Sequence, residues 1–187
     1  MELVDALART TIGATYNQYA ASQLLRERLR AYLEARAHAP LLLVGEAAGY
    51  RGARVSGIPF TSERQLTGAG PAEASATIVH RVLGGLGIAD DTLLWNVVPT
   101  HPGTETSNRR PTRTEIEAAR PFLDRLAAGR TVIAVGRIAA ESLDAPYIRH
   151  PSHGGAPAFA DGLREALTAR RIRYNPRPAD ALSASFL

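Results

Sequence analysis

Four short apolar runs, each closed by a chain breaker or a polar residue, alternate along this chain with segments of helical periodicity. The first run, Leu41-Leu42-Leu43-Val44, is entered from Pro40 and ends at Gly45. The second, Thr92-Leu93-Leu94-Trp95-Asn96-Val97-Val98, is stopped by Pro99, the third, Thr131-Val132-Ile133-Ala134-Val135, turns at Gly136, and the fourth spans Ala145 to Arg149. Each is too short for a buried helix and reads as a buried strand. Between them, Leu24, Leu25, Leu29, Tyr32 and Leu33 share one face of a helix over about 17–37, and Ile78, Val79, Val82, Leu83 and Leu86 mark a second. Thr112 with Glu115 has the form of a capping box and opens a helix whose inner face is Ile116, Ala119, Phe122, Leu123 and Leu126. Phe159, Leu163, Ala166 and Leu167 mark the last helix, and 171–187 is expected to add an edge strand and a tail. Strands that alternate with helices imply a parallel sheet covered on both faces. The expected fold is therefore α/β, three-layer α/β/α around a mainly parallel four-stranded sheet, as a single domain over 1–187.

Composition narrows the chemistry. Among the 187 residues there is no Cys, which excludes disulfides, thiolate nucleophiles and Cys-held zinc or iron–sulfur centres. There is also no Lys: all 22 basic residues are Arg, against 18 acids. No side-chain amine can form a Schiff base, and a phosphate loop would lack its lysine. No metal or cofactor is expected. The longest apolar run is about seven residues, too short to span a bilayer. The start, Met1-Glu2-Leu3-Val4-Asp5, has early acids and no basic-then-apolar pattern, so a cytoplasmic protein is expected. A monomer is expected as well.

In parallel α/β sheets, ligands bind at the carboxyl ends of the strands. Glu46 falls at the end of the first strand, Asn96 near the end of the second and His150 at the end of the fourth. A carboxylate, an amide and an imidazole thus converge on one edge. Two long polar loops leave from it, 46–70 with Arg51, Arg54 and Arg64, and 99–112 with Arg109 and Arg110. A third loop, His150 to Pro157, is rich in Gly and Pro. Singly, Glu46 could cap a helix, Asn96 brace a turn and His150 sit in the core. Their convergence favours a functional site.

Four motifs on this edge resemble those of the uracil-DNA glycosylase superfamily. Gly45-Glu46-Ala47-Ala48-Gly49 is similar to its Gly-Glu-Ala-Pro-Gly motif, and Gly57-Ile58-Pro59-Phe60 to its Gly-x-Pro-Phe segment. Trp95-Asn96-Val97-Val98 resembles its Asn-bearing strand, and His150-Pro151-Ser152 its His-Pro-Ser motif. All four stand in the family's order. Asn108-Arg109-Arg110-Pro111-Thr112 with Glu115 further resembles a loop of the bacterial iron–sulfur branch. The chain departs from that branch in having none of the four cluster cysteines, with Thr100 and Ala119 at two of their positions. It also has Tyr50-Arg51-Gly52-Ala53-Arg54 where the branch has an acidic stretch, and Ala48 where it has Pro.

The resemblance implies a glycosylase that releases uracil from DNA, and the absence of Lys implies a monofunctional one. A base must leave the stack before its glycosidic bond can be reached. Phe60 would then stack on it, with Ala47 and Gly49 lining its pocket, and Asn96 would read N3–H and O4 together. His150 would donate to O2 as negative charge grows there, and Glu46, alone or with Asn96, would hold the attacking water. Ser152, His153 and Gly154 would bind a backbone phosphate, as would Arg51, Arg54, Arg109 and Arg110. The 153–157 loop offers no large aliphatic wedge. Alternatives are excision of another deaminated base such as hypoxanthine, a slow or covalently trapping relative, a non-catalytic DNA binder, and an unrelated hydrolase using Glu46 and His150.

Overall fold

The computed structural model describes residues 2–170 and Ile172; the expected edge strand and tail over 171–187 lie outside them apart from that residue. Helix α1 (Glu2–Arg9) buries Leu3, Val4 and Leu7. The helix expected over 17–37 is two, α2 (Gln18–Ala21) and α3 (Gln23–Ala35), because Ser22 adopts an extended backbone. Its hydroxyl accepts the Leu25 amide and so caps α3. Strand β1 (Leu41–Ala47) runs past the apolar stretch to carry Gly45 and Glu46.

The loop expected over 46–70 contains two short helices, α4 (Ala53–Ser56) and α5 (Glu63–Thr67). Helix α6 (Ala74–Leu86) leads to β2 (Thr92–Val98), every residue of which is buried. The loop expected over 99–112 holds a small hairpin, β3 (Gly103–Thr104) and β4 (Ser107–Asn108). Helix α7 (Arg113–Ala127) begins at the Thr112/Glu115 capping box read from the sequence. Strand β5 (Thr131–Val135), helix α8 (Arg137–Ser142), strand β6 (Tyr147–Ile148) and helix α9 (Ala156–Ala169) complete the described chain. The fourth strand is thus shorter than expected, at two residues.

The sheet order is β2-β1-β5-β6, parallel throughout. Strand alternation divides two cores. Leu42, Val44, Leu93, Trp95 and Val97 pack with α1, α3 and α7. Leu41, Leu43 and Leu94 pack with Phe60, α6 and α9 on the other face. Asn96 follows Leu94 by two residues, so the period of two carries it onto the Phe60 face. Gly45 pairs directly across from Asn96 in the β1–β2 register. Among the described residues, no helix is long and apolar enough to cross a membrane.

Candidate active site

Gly45 is the floor of the site. A Cβ there would lie 2.3 Å from Phe60 Cζ and 2.9 Å from Asn96 Oδ1, so only glycine lets the ring and the amide settle on β1 together. Phe60 is held with φ at +52°, a left-handed conformation that is an outlier for a bulky side chain and a common mark of functional sites. Its ring centroid lies 6.4 Å from that of His150. The segment that aims it is anchored below: Gly57 closes α4 in a left-handed cap, and Tyr19 donates its hydroxyl to the Gly57 carbonyl at 2.9 Å.

Asn96 is 4% exposed, yet among the described residues nothing hydrogen-bonds its side chain. A buried amide without partners is costly, by roughly 1–3 kcal/mol, unless a ligand supplies them. It opens into a small pocket, partly open to solvent, lined by Glu46, Ala47, Gly49, Ala53, Phe60, Glu73, Ser75, Asn96 and His150. The ends of β1 and β2 and the loops that carry Gly49, Phe60 and His150 therefore bring the sequence-predicted Glu46, Asn96, His150, Ala47, Gly49 and Phe60 into one pocket. Glu73, Ser75 and Ala53 complete it and were not expected.

The titratable groups in this pocket are each shifted toward their neutral form. Burial raises the Glu46 carboxyl, a rise that the positive charge of Arg110 partly opposes. Burial raises Glu73 as well, with a hydrogen bond to the Ser75 side chain opposing it. His150 is lowered, first by burial and then by the nearby charges of His153 and Arg149. Its Nδ1 lies 2.8 Å from Ser152 Oγ and accepts the Ser152 backbone N–H at 3.2 Å. That acceptance leaves the ring proton on Nε2 of a neutral imidazole. His153, next in the loop, also takes a left-handed φ of +51°, and Gly155 ends the loop at the start of α9.

The arginines divide. Arg51 is exposed and lies over the Tyr50 ring at 5.2 Å. Arg110 is exposed, pairs with Glu141 at 2.6 Å and sits near enough to act on Glu46. Arg54 is mostly buried, stacked 5.0 Å over the Tyr16 ring and paired with Glu105 at 2.9 Å. Arg109, expected to contact phosphate, is committed elsewhere. Its guanidinium grips Glu115 through two bonds, Nη1 to Oε2 at 2.8 Å and Nη2 to Oε1 at 2.6 Å.

Glu115 is the centre of a brace. It also accepts the Thr112 backbone N–H at 2.8 Å and the Ala14 N–H at 3.2 Å, and Arg109's hydrogen bonds lead the set that holds its carboxyl down at about 2. His101, fully buried, places Nδ1 2.7 Å from the Ala48 carbonyl and Nε2 2.7 Å from the Thr104 carbonyl. Thr100, also fully buried, hydrogen-bonds Thr15 at 2.6 Å, and Ala119 lies in the core. The positions that resemble cluster ligands therefore hold side chains unable to ligate iron by thiolate. The residues do not fit an iron–sulfur group, and packing and hydrogen bonds hold these loops.

Residues 33–178 match the family described as the uracil DNA glycosylase superfamily. Among solved structures, wild-type SMUG2 from Pedobacter heparinus superposes with a TM-score of 0.65 at 16% identity, over 91% of this chain and 99% of that one. At that identity the likeness shows the fold. Among curated proteins, none matches the sequence.

Proposed function

The chain belongs to the uracil-DNA glycosylase superfamily, and from that premise we propose that it is a monofunctional enzyme hydrolysing the N-glycosidic bond of uracil in DNA. The observation that carries the reading is the buried, unpartnered Asn96 amide beside the Phe60 ring on Gly45. A flat ligand with adjacent donor and acceptor atoms satisfies both. Uracil offers N3–H and O4, whereas cytosine offers an acceptor and an amine there, so the amide orientation that suits one is wrong for the other.

The extruded base stacks on Phe60, and Asn96 reads its edge. As the C1′–N1 bond breaks, its electron pair moves into the uracil ring and charge collects on O2. His150 donates from Nε2 to that oxygen. A neutral imidazole suffices, and the hydrogen bond strengthens as the charge grows. Glu46, ionised, favours the developing sugar cation and orients the water that attacks C1′, with its released proton passing toward the carboxylate. The products are free uracil and an abasic site. Ser152, His153 and Gly154, before the α9 N-terminus, hold a flanking phosphate. Arg51 and Arg110 are the exposed cations suited to others. The proposal is tested by incubating the protein with uracil-containing oligonucleotide and measuring free uracil. Release that is lost in Asn96→Ala supports it, and binding without release contradicts it.

A further inference from the structure

Glu73 enters the pocket from outside every motif that resembles the family, just ahead of α6. Its carboxylate fills space that two glycines leave. A Cβ at Gly49 would lie 2.5 Å from Glu73 Oε1, and one at Gly52 would lie 2.0 Å from Oε2. The carboxylate therefore lies across the Gly49–Gly52 turn, where this chain has no acid of its own. Ser75 supports it, and among the described residues no cation pairs with it. The Gly45 floor, by contrast, is met by Phe60 and Asn96.

Resting on the uracil reading above, we infer that Glu73 is a specificity-determining residue that faces the C5 edge of the bound pyrimidine and rejects a 5-methyl group. The assignment follows from which edges are already taken. Phe60 covers a face of the ring, Asn96 takes N3 and O4, and His150 takes O2. The C5–C6 edge is what remains for the Gly49–Gly52 wall. A carboxylate tolerates the weakly polar C5–H of uracil as a C–H···O contact. A methyl group there would strip further water from an already desolvated carboxylate and give nothing back. A single methyl group typically changes selectivity by about 10–200-fold in a shaped pocket. An enzyme acting on DNA needs this discrimination, since thymine differs from uracil at C5 alone.

The test measures single-turnover excision of uracil and of thymine from otherwise identical single-stranded oligonucleotides, which removes base pairing from the comparison. Glu73→Ala and Glu73→Gln should each raise the thymine-to-uracil rate ratio by at least about tenfold. Some loss on uracil is expected as well, so the ratio is the readout. A folding defect or a purely structural role would lower both rates together and leave the ratio alone. Uracil excision by the parent protein with an unchanged ratio in both variants would overturn the Glu73 inference and leave the glycosylase reading standing. A parent protein that excises no uracil would overturn both.

Discussion

The loops that follow β1 and β2 leave the same edge of the sheet and treat charge in opposite ways. After β2, Glu115 is 1% exposed but fully satisfied, bound by Arg109 and by two backbone N–H groups, and its carboxyl is held down to about 2. At the end of β1 and in the loop beyond it, Glu46 and Glu73 are desolvated without such partners, and both are raised. Both arrangements bury carboxylates. One spends its hydrogen bonds on holding loops together, whereas the other leaves polar groups waiting for a ligand. The difference separates the parts of this edge that fold the molecule from the part proposed to act.

The largest effect should come from the waiting side. Asn96→Ala and His150→Ala should each slow excision by about 10²–10³-fold, the usual effect of removing one preorganised donor, while melting temperature barely moves. A variant that lost activity only in proportion to lost fold would erase the distinction. On the satisfied side, Glu115→Gln should do the reverse. The depressed carboxyl contributes stability that is complete above the ordinary glutamate range and lost as pH falls from there toward about 2. Because Arg109 is partly exposed, we expect about 2–3 kcal/mol at neutral pH, or roughly 5–10 °C in melting temperature. Excision by the folded protein should change little.

A pH series sharpens the comparison through its sign. In the proposed mechanism Glu46 acts ionised, so kcat/KM should fall on the acid side at a pH above that of an ordinary glutamate, and Glu46→Gln should flatten that limb as well as cost at least about tenfold. Stability runs the other way from Glu115. A raised carboxyl binds its proton more tightly folded than unfolded, so its ionisation costs stability as pH rises through the raised value. Glu46→Gln should therefore hold or slightly raise the melting temperature at neutral pH. The smallest effects concern the arginines. Arg51→Ala should flatten the salt dependence of DNA binding by about one unit. Arg109→Ala should leave that slope alone and lower the melting temperature instead.

The sheet was legible because buried parallel strands are short apolar runs between breakers, and the carboxyl-edge rule then placed Glu46, Asn96 and His150 together. The Thr112/Glu115 capping box was legible for the same local reason. What escaped depended on distance. Ser22 breaks the first long helix through its backbone, which apolar periodicity over 17–37 does not register. Arg109 looked like a free cation in an arginine-rich loop, because its partner is visible only once Glu115 folds back under Thr112. Glu73 lies between a Gly-rich loop and a helix, with no local signal of function. Only the tertiary fold shows its carboxylate filling the space over Gly49 and Gly52.

The central claim is that the pocket at the β1–β2 edge cuts a glycosidic bond with water alone. The direct measurement incubates the protein with an end-labelled oligonucleotide containing one uracil and divides the products between a neutral gel, an alkali-treated gel and a borohydride-quenched protein gel. The account predicts an intact strand under neutral conditions, scission at the uracil only after alkali, loss of that scission in Asn96→Ala, and no covalent protein–DNA band. No lysine exists to form a Schiff base, and the proposed attacker is water. A borohydride-stable adduct, or a strand that survives alkali with enzyme in excess, would contradict it.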